Sequence, residues 1–210
     1  MKTKTIKGRS TGEIKTALQD CMADGFTPTL AIVFLSVKQD REAIVSLLDS
    51  MNITIFGATT SGEFIDGDIE EGSIVMMLLD MNPAYFKLEF LETSSVDALE
   101  TAKKLGIIGR ETFANPALII ATGGVFIDGD QIVEGILEGF GKENSPADRE
   151  LTVFGGMAGD DLIAEKPLVF TNGKSKDNAL IALIIDEDNI DVRGIATCGW
   201  KAIGTAKTVT

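Results

Sequence analysis

Histidine is absent from this chain of 210 residues. Its absence excludes the serine and cysteine triads in which histidine is the general base, and it excludes the HExxH zinc site. It also removes the side chain that most often changes charge near neutral pH. Any enzyme built on this chain would need carboxylate, lysine or cofactor chemistry.

Cysteine is scarce, because the chain contains only Cys21 and Cys198. Two cysteines are too few for a disulfide-stabilised secreted scaffold, and no paired-cysteine zinc pattern occurs. The N-terminal stretch MKTKTIKGRS lacks the apolar centre of a signal peptide. The longest apolar runs, such as IVMMLLD and ALIALIID, are much shorter than the roughly 20 residues that a membrane helix needs. We therefore expect a cytoplasmic protein without a membrane segment.

Positive charge is also in deficit, with 19 basic residues against 32 acidic ones and a formal net charge of −13. A polyanion would meet a repulsive field over most of such a surface. Anionic membrane surfaces attract clusters of Lys and Arg, and the sequence has no such cluster. Neither nucleic acid nor a membrane surface is an expected partner.

Strand-like and helix-like segments alternate through the first half of the chain. The apolar runs TLAIVFLS and ITIFGA alternate with EIKTALQDCM and REAIVSLLDSM, whose apolar residues recur at helical spacing. Ser10 and Asp40 stand where helix N-caps are expected. Before the first helix, residues Lys2 to Lys7 alternate modestly, and after ITIFGA the segments SIVMMLLD and AYFKLEFLE follow as two strands joined by a tight turn. With Lys2 to Lys7 as its first strand and SIVMMLLD as its last, the first half has the predicted order β-α-β-α-β-β.

The same order starts again in the second half. The helix VDALETAKKLG is expected to end at Gly106, PALIIATGG matches PTLAIVFLS, and Asp130 stands before QIVEGILEGF as Asp40 stood before its helix. LTVFGG matches ITIFGA, and NALIALIID matches GSIVMMLLD. We predict one α/β domain, residues 1–210, of two pseudo-repeats (about 1–84 and 85–210). These internally duplicated β-α-β-α-β-β halves are expected to form mixed sheets flanked by helices.

A glycine-rich turn with an acid follows the third strand of each half, as SGE in one half and AGD in the other. Glycines let backbone N–H groups converge into a nest for a carboxylate or phosphate. An acid at the rim could bind an ammonium group, and an amino acid carries both groups. The predicted ligand-binding residues of these turns are Gly57, Thr59, Thr60, Ser61, Gly62, Glu63, Gly155, Gly156, Gly159 and Asp160. The alternative, that the glycines serve only tight turns, stays open at this point.

The sequence contains no motif typical of a catalytic, cofactor-binding or metal-binding site. Ser61 lacks both the GxSxG context and a histidine to activate it, so no catalytic residue is predicted. Neither a P-loop nor GxGxxG occurs, and no cofactor is expected. Asp66, Asp68 and Glu70 alternate as calcium ligands would, but Glu71 stands where the calcium loop needs glycine, so no metal site is expected.

Cys198 and Trp200 complete the predicted ligand-binding set. The flat face of Trp200, the only tryptophan, could close a ligand pocket, or it could pack at the edge of the core. Cys198 would be a reactive thiol beside basic groups, but a small buried residue is the favoured interpretation.

Several of these segments, taken in order, resemble the N-terminal FIST domain. They are AIVFLS, FGATTSGE with the following GSIVMMLLD, VFGGMAGDD, VFTNGKSKDNALIALII and the closing CGWKAIGTAKTVT. The resemblance covers nearly the whole chain. It implies a non-catalytic sensory domain of signal-transduction proteins that binds small ligands such as amino acids.

The resemblance also implies partners. A C-terminal FIST domain is expected to follow, and the sequence stops at Val209-Thr210, where that domain would begin. We therefore expect a piece of a longer protein. The expected output partner is a histidine kinase, a chemoreceptor or a cyclic-dinucleotide enzyme. The leading hypothesis is a cytoplasmic domain that binds an amino acid or similar small carboxylate or zwitterion between its two halves. The alternative is a protein-interaction scaffold without a small-molecule ligand, and an enzyme using Cys198 is a distant third.

Overall fold

The computed structural model describes residues 1–124, 127–141, 151–162 and 167–195. Helices and strands alternate through both halves of the chain. The elements of the first half are β1 (Lys2–Gly8), α1 (Thr11–Met22), β2 (Leu30–Ser36), α2 (Arg41–Asp49), β3 (Thr54–Thr60), β4 (Glu63–Ile65), β5 (Asp68–Glu70) and β6 (Ile74–Asp80). After a 3-10 turn at Pro83–Tyr85, the second half contains β7 (Phe86–Glu92), α3 (Ala98–Thr112), β8 (Pro116–Thr122), α4 (Gly129–Phe140), β9 (Thr152–Met157), β10 (Val169–Thr171), β11 (Lys174–Lys176) and β12 (Ala179–Asp186).

The helix ends in the structure show which of the predicted helix boundaries are right. Ser10 and Asp40 are the predicted N-caps, and their side chains accept hydrogen bonds from backbone N–H groups of the first turn. The expected end of α3 at Gly106 is wrong, because the helix continues to Thr112. A Cβ at Gly106 would lie 2.7 Å from the backbone N of Phe140, so glycine is needed there for close packing of α3 against α4. The cap of α4 is Asp128 and not Asp130.

The strands form two main sheets with the same internal order. The first sheet runs β1-β6-β2-β3-β10-β11, and the second runs β7-β12-β8-β9. In each sheet the first two neighbouring pairs are antiparallel, and the following pair, β2 with β3 or β8 with β9, is parallel. The mixed sheets flanked by helices confirm the predicted α/β class. The shared order is what a duplication would produce, while the duplication itself stays a prediction.

The chain folds into four layers, helices, sheet, sheet and helices. Helices α1 and α2 bury Ile14, Leu18, Ile44 and Leu48 against one face of the first sheet. On the far side, α3 and α4 cover the second sheet through residues such as Leu105. The inner faces of the two sheets pack on each other through Leu30, Phe56, Ala58, Leu79, Ile181, Leu183 and Ile185.

Two short hairpins were not predicted from the sequence. The hairpin β4–β5 occupies the polar stretch between β3 and β6. The hairpin β10–β11 belongs to the second half, yet β10 pairs with β3 and extends the first sheet. Within the described residues, no helix combines the length and apolar character required to cross a membrane.

Candidate functional site

The two glycine turns of the sequence analysis lie against each other at the boundary between the halves. The backbone N–H of Gly159 donates to the carbonyl oxygen of Thr59 at 2.8 Å, and the N–H of Asp161 donates to that of Thr60 at 3.3 Å. Asp160 N–H donates to Ser61 Oγ at 3.1 Å. We call residues 59–63 and 158–161 together the turn junction. The structure thus brings together most of the residues that the sequence suggested for one site.

The backbone N–H groups of the second turn already have protein acceptors. Besides the three contacts just described, the N–H of Ala158 donates to the carbonyl oxygen of Thr122 at 2.8 Å. Three of these groups join the two halves of the chain, the bond of Ala158 lies within the second half, and the four do not form an open nest for an anion.

Close packing explains several of the predicted glycines. A Cβ at Gly159 would lie 2.5 Å from Ser61 Oγ and 2.7 Å from its backbone nitrogen. A Cβ at Gly57 would overlap the ring of Phe170, and one at Gly155 would overlap the carbonyl oxygen of Ile120. Glycine is required at these positions by the approach of neighbouring chain, whether or not a ligand binds.

The last two glycines of the predicted set differ from these. Gly62 has a φ of +131°, which only glycine adopts readily, and a Cβ there would meet nothing within 4 Å. A Cβ at Gly156 would also meet nothing within 4 Å, and this residue lies exposed near the end of β9. Gly156 is thus a position where the structure shows no need for glycine.

Glu63 lies inside the fold and not at a rim. Its side chain is almost fully buried, and its carboxylate accepts hydrogen bonds from the hydroxyl of Thr60 at 2.6 Å and from the N–H and hydroxyl of Ser73 at 2.8 and 3.1 Å. These contacts tie the turn after β3 to the segment that enters β6. Both carboxylate oxygens therefore already have donors from the protein.

Asp161, next to the predicted Asp160, places a carboxylate within the turn junction. Its side chain is 5% exposed and lies 3.4 Å from the ammonium group of Lys38, measured from Oδ2 to Nζ. The hydroxyl of Ser36 donates to the same Oδ2 at 2.5 Å. The other oxygen, Oδ1, is buried and has no hydrogen-bond partner in the described part of the chain. Asp160 and not Asp161 is in the predicted set, because the sequence alone does not show which of two adjacent acids points inward.

A hydrogen-bond network connects the two buried acids through serine residues. The N–H of Ser36 donates to the carbonyl oxygen of Ser73 at 3.1 Å, while Ser73 itself donates to Glu63 and Ser36 donates to Asp161. Ser36 Oγ also accepts from the N–H of Lys38 at 3.1 Å. The network therefore spans β2, β4 and the second turn.

The network lies at the carboxyl ends of two adjacent parallel strands. Ser36 ends β2, Thr60 ends β3, and these two residues are register partners. In α/β proteins ligands commonly bind just outside the carboxyl ends of parallel strands. The predicted set missed Ser36 and Lys38. The signal in the sequence was the strand–helix–strand order of TLAIVFLS, REAIVSLLDSM and ITIFGA, which favours a parallel pair of strands with a site at their carboxyl ends.

The remaining predicted residues have diverse surroundings. The hydroxyl of Thr59 accepts from the N–H of Leu168 at 2.8 Å, so it helps to hold the chain next to β10. Ser61 is exposed, and its hydroxyl supports Asp160. Cys198 and Trp200 lie outside the described residues.

The acids once considered as calcium ligands pair with β1 instead. Asp66 accepts from the hydroxyl of Thr5 at 2.9 Å, Asp68 binds Lys7, and Glu70 lies 3.5 Å from Arg9. Within residues 1–124, 127–141, 151–162 and 167–195, no cluster of three or more His, Cys, Asp or Glu residues is arranged to hold a metal ion.

Comparison with known proteins identifies the family. A search of curated proteins found no significant match to the chain. The family model of the FIST N domain, in contrast, matches residues 29–210, which include β2 to β12 and every residue of the turn junction. This match covers most of the chain and confirms the resemblance seen in the sequence. The chain therefore belongs to the FIST N domain family, a family of sensory domains in signalling proteins.

Proposed function

We propose that this domain senses a small polar ligand, an amino acid or a similar carboxylate or zwitterion, at the turn junction. The observation that carries the proposal is the contact between the two glycine turns, which places the buried acid Asp161 and the basic Lys38 side by side at the ends of parallel strands. Polar groups that converge at such a place are typical of small-molecule sites.

The position of the site offers a way to transmit a signal. Asp161 belongs to the second half of the chain, whereas Ser36, Lys38 and Thr60 belong to the first. A ligand held between them would bind one relative arrangement of the halves more tightly than another. Such differential binding is sufficient to shift a conformational equilibrium.

Calorimetry with a panel of the standard amino acids tests the proposal. We also propose a C-terminal FIST domain as a partner, so the measurement is best made with that domain present and with backbone amide shifts of this domain recorded in parallel. We expect at least one amino acid to bind and the shift changes to cluster at residues 34–38, 59–63 and 158–162. Absence of binding by every member of the panel, or shift changes confined to another surface, would contradict the proposal.

We further propose a non-catalytic role and a cytoplasmic location, together with an output through a histidine kinase, a chemoreceptor or a cyclic-dinucleotide enzyme. The absence of histidine and the scarcity of cysteine support the first two statements. Membership of a sensory family supports the third. The matching strand order of the two sheets supports an origin of the single domain by internal duplication.

A protein-interaction scaffold is the second candidate, and exposed apolar side chains favour it. Phe64 and Ile69 face each other across the hairpin β4–β5 and are 76% and 78% exposed. Exposed apolar pairs of this kind often mark protein contacts. If the scaffold hypothesis holds, the double variant Phe64→Ser with Ile69→Ser abolishes co-elution with the C-terminal FIST domain. Unchanged co-elution of that variant would contradict it.

A further inference from the structure

We infer that Oδ1 of Asp161 is the docking point for a cationic N–H group, an ammonium or amidinium, of the ligand. The inference rests on the proposed function, because it assumes a ligand at the turn junction, and it names the chemical class that the junction selects. It also replaces the two acids suggested by the sequence, Glu63 and Asp160, by a third.

The two oxygens of Asp161 have unequal surroundings. Oδ2 accepts the hydroxyl proton of Ser36 at 2.5 Å and lies 3.4 Å from the ammonium group of Lys38. Oδ1 is buried and has no donor among the described residues. Buried polar atoms in native proteins almost always have partners, so an oxygen without one calls for a donor from outside the described chain.

The carboxylate is held in this position by contacts with the other half of the chain. Asp161 has a φ of +56° and Leu162 a φ of +59°, a left-handed conformation that residues with side chains rarely adopt. The N–H of Asp161 donates to Thr60, and its side chain is bound by Ser36, so both contacts reach across the boundary between the halves. The acid is therefore presented by the fold and is not a freely turning surface group.

Charge and hydrogen-bonding capacity decide the class of the ligand. A carboxylate oxygen only accepts, so its missing partner is a donor, and a charged donor forms the strongest such bond. The described residues contain no group of three or more His, Cys, Asp or Glu side chains that could hold a metal ion. Lys38 is 62% exposed beside the same carboxylate and can meet an acidic group of the ligand. Asp161 and Lys38 together therefore fit a molecule with an ammonium group and a carboxylate, in which the ammonium group contacts Asp161 and the carboxylate contacts Lys38.

Glu63, the other buried acid of the junction, does not fit this role. Its two oxygens are already bound by Thr60 and Ser73. An ammonium group would have to displace protein donors there, whereas at Asp161 it would meet an oxygen that has no donor among the described residues.

The first test uses the unmodified protein with the proposed C-terminal FIST domain present. Calorimetry compares the tightest-binding amino acid of the panel with its desamino analogue, in which hydrogen replaces the ammonium group. We expect the analogue to bind at least about 10-fold more weakly, as loss of a charge-assisted hydrogen bond predicts. Equal affinities for the two molecules would overturn the inference and would leave the proposed function standing.

The second test is Asp161→Asn, which keeps the shape of the side chain and removes its charge. We expect affinity for the amino acid to fall about 10- to 100-fold, with little change in affinity for the desamino analogue. Asp20→Asn, at an exposed position of α1, is the matched control and should bind as the unmodified protein does. Undiminished binding by folded Asp161→Asn would overturn the inference. If circular dichroism shows that this variant does not fold, the analogue comparison decides alone. Failure of every amino acid to bind the unmodified protein would refute the proposed function itself.

Discussion

Glu63 and Asp161 show, at the scale of single residues, how different two acids of one site can be. The carboxylate of Glu63 has three donors from the protein and is part of the internal hydrogen bonding of the fold. Asp161 is similarly enclosed, but one of its oxygens has no partner among the described residues. Burial with every bond made indicates a structural role, whereas a buried acceptor without a donor calls for an explanation, and the one that we propose is a ligand.

Glu63→Gln is therefore expected to weaken the fold, which the same change in a carboxylate at the rim of a site would not do. A glutamine removes the charge that strengthens these bonds, and its NH₂ group stays bonded only if it faces Thr60 and the Thr60 hydroxyl becomes the acceptor. We expect the free energy of unfolding to fall by about 1–3 kcal/mol, measured by urea denaturation. Glu111→Gln, on the exposed surface of α3, is the control and should be neutral. Equal stability of the two variants would contradict this role.

Gly159→Ala is expected to force the two turns apart. The added Cβ would lie 2.5 Å from Ser61 Oγ and 2.7 Å from the Ser61 nitrogen, much closer than carbon normally approaches these atoms. Overpacking of this kind costs about 1–3 kcal/mol, which thermal unfolding would detect. Gly156→Ala is the matched control, because a Cβ there meets nothing within 4 Å. A Gly159→Ala protein as stable as the control would show that the turns separate freely.

At the scale of elements, the two short hairpins have different attachments. The hairpin β10–β11 is fixed by Asn172, which accepts from the N–H of Ile55 at 2.9 Å and donates to Asp49 and to the carbonyl oxygen of Ile53. The hairpin β4–β5 is held at its start by the buried Glu63, and its further part is bound to Lys7 of β1 and to Arg9 by charged side chains at the surface. The attachment of β10–β11 is thus a set of directional hydrogen bonds, whereas the outer part of β4–β5 depends on ionisation.

The attachment of β4–β5 is expected to weaken in acid. The hydrogen bond from Lys7, and then its positive charge, lower the pKa of Asp68 below its ordinary value. A carboxyl group with a lowered pKa in the folded state stabilises that state above its ordinary pKa, and the effect is lost as the pH falls through the lowered value. We expect amide protection in β4 and β5 to decrease selectively on acidification and in high salt. Lys7→Gln should show weak protection already at neutral pH, and pH-independent protection in the unmodified protein would contradict the prediction.

At the scale of the whole molecule, the layer between the two sheets makes the halves dependent on each other. Leu30, Phe56 and Leu79 of the first sheet pack on Ile181 and Leu183 of the second. The first sheet also takes β10 from the second half of the chain. Separation of the halves would expose this apolar layer to water and would leave the edge of β3 without its partner.

A fragment of residues 1–84 is accordingly expected not to fold alone. It would lack β10 and would expose the inner face of the first sheet. We expect a fragment with poorly dispersed amide resonances and no cooperative unfolding transition. Addition of the complementary fragment, residues 85–210, should restore both signals. A cooperative transition of the first fragment by itself would show that each half is an independent domain.

Local signals in the sequence were sufficient to predict where α1 and α2 begin and where the long strands lie. Periodicity and caps located the helices at Ser10 and Asp40, because those interactions lie within a few residues of each other along the chain. The end of α3 was wrongly predicted at Gly106, because that glycine is needed for the close approach of the α4 backbone and not for ending the helix. The short hairpins were missed because three-residue strands have too few side chains to show an alternating pattern.

The sequence by itself determined the α/β class, the repeated order of elements, the exclusion of histidine chemistry and the resemblance to a sensory family, since each depends on composition or on local pattern. The sequence also pointed to the two glycine-rich turns as candidate ligand-binding segments. Only the tertiary structure decided that the N–H groups of the second turn are already used, that Glu63 is enclosed, and that Asp161 meets Ser36 and Lys38. Ser36 and Asp161 are separated by 125 residues, and their contact exists only because two sheets pack face to face.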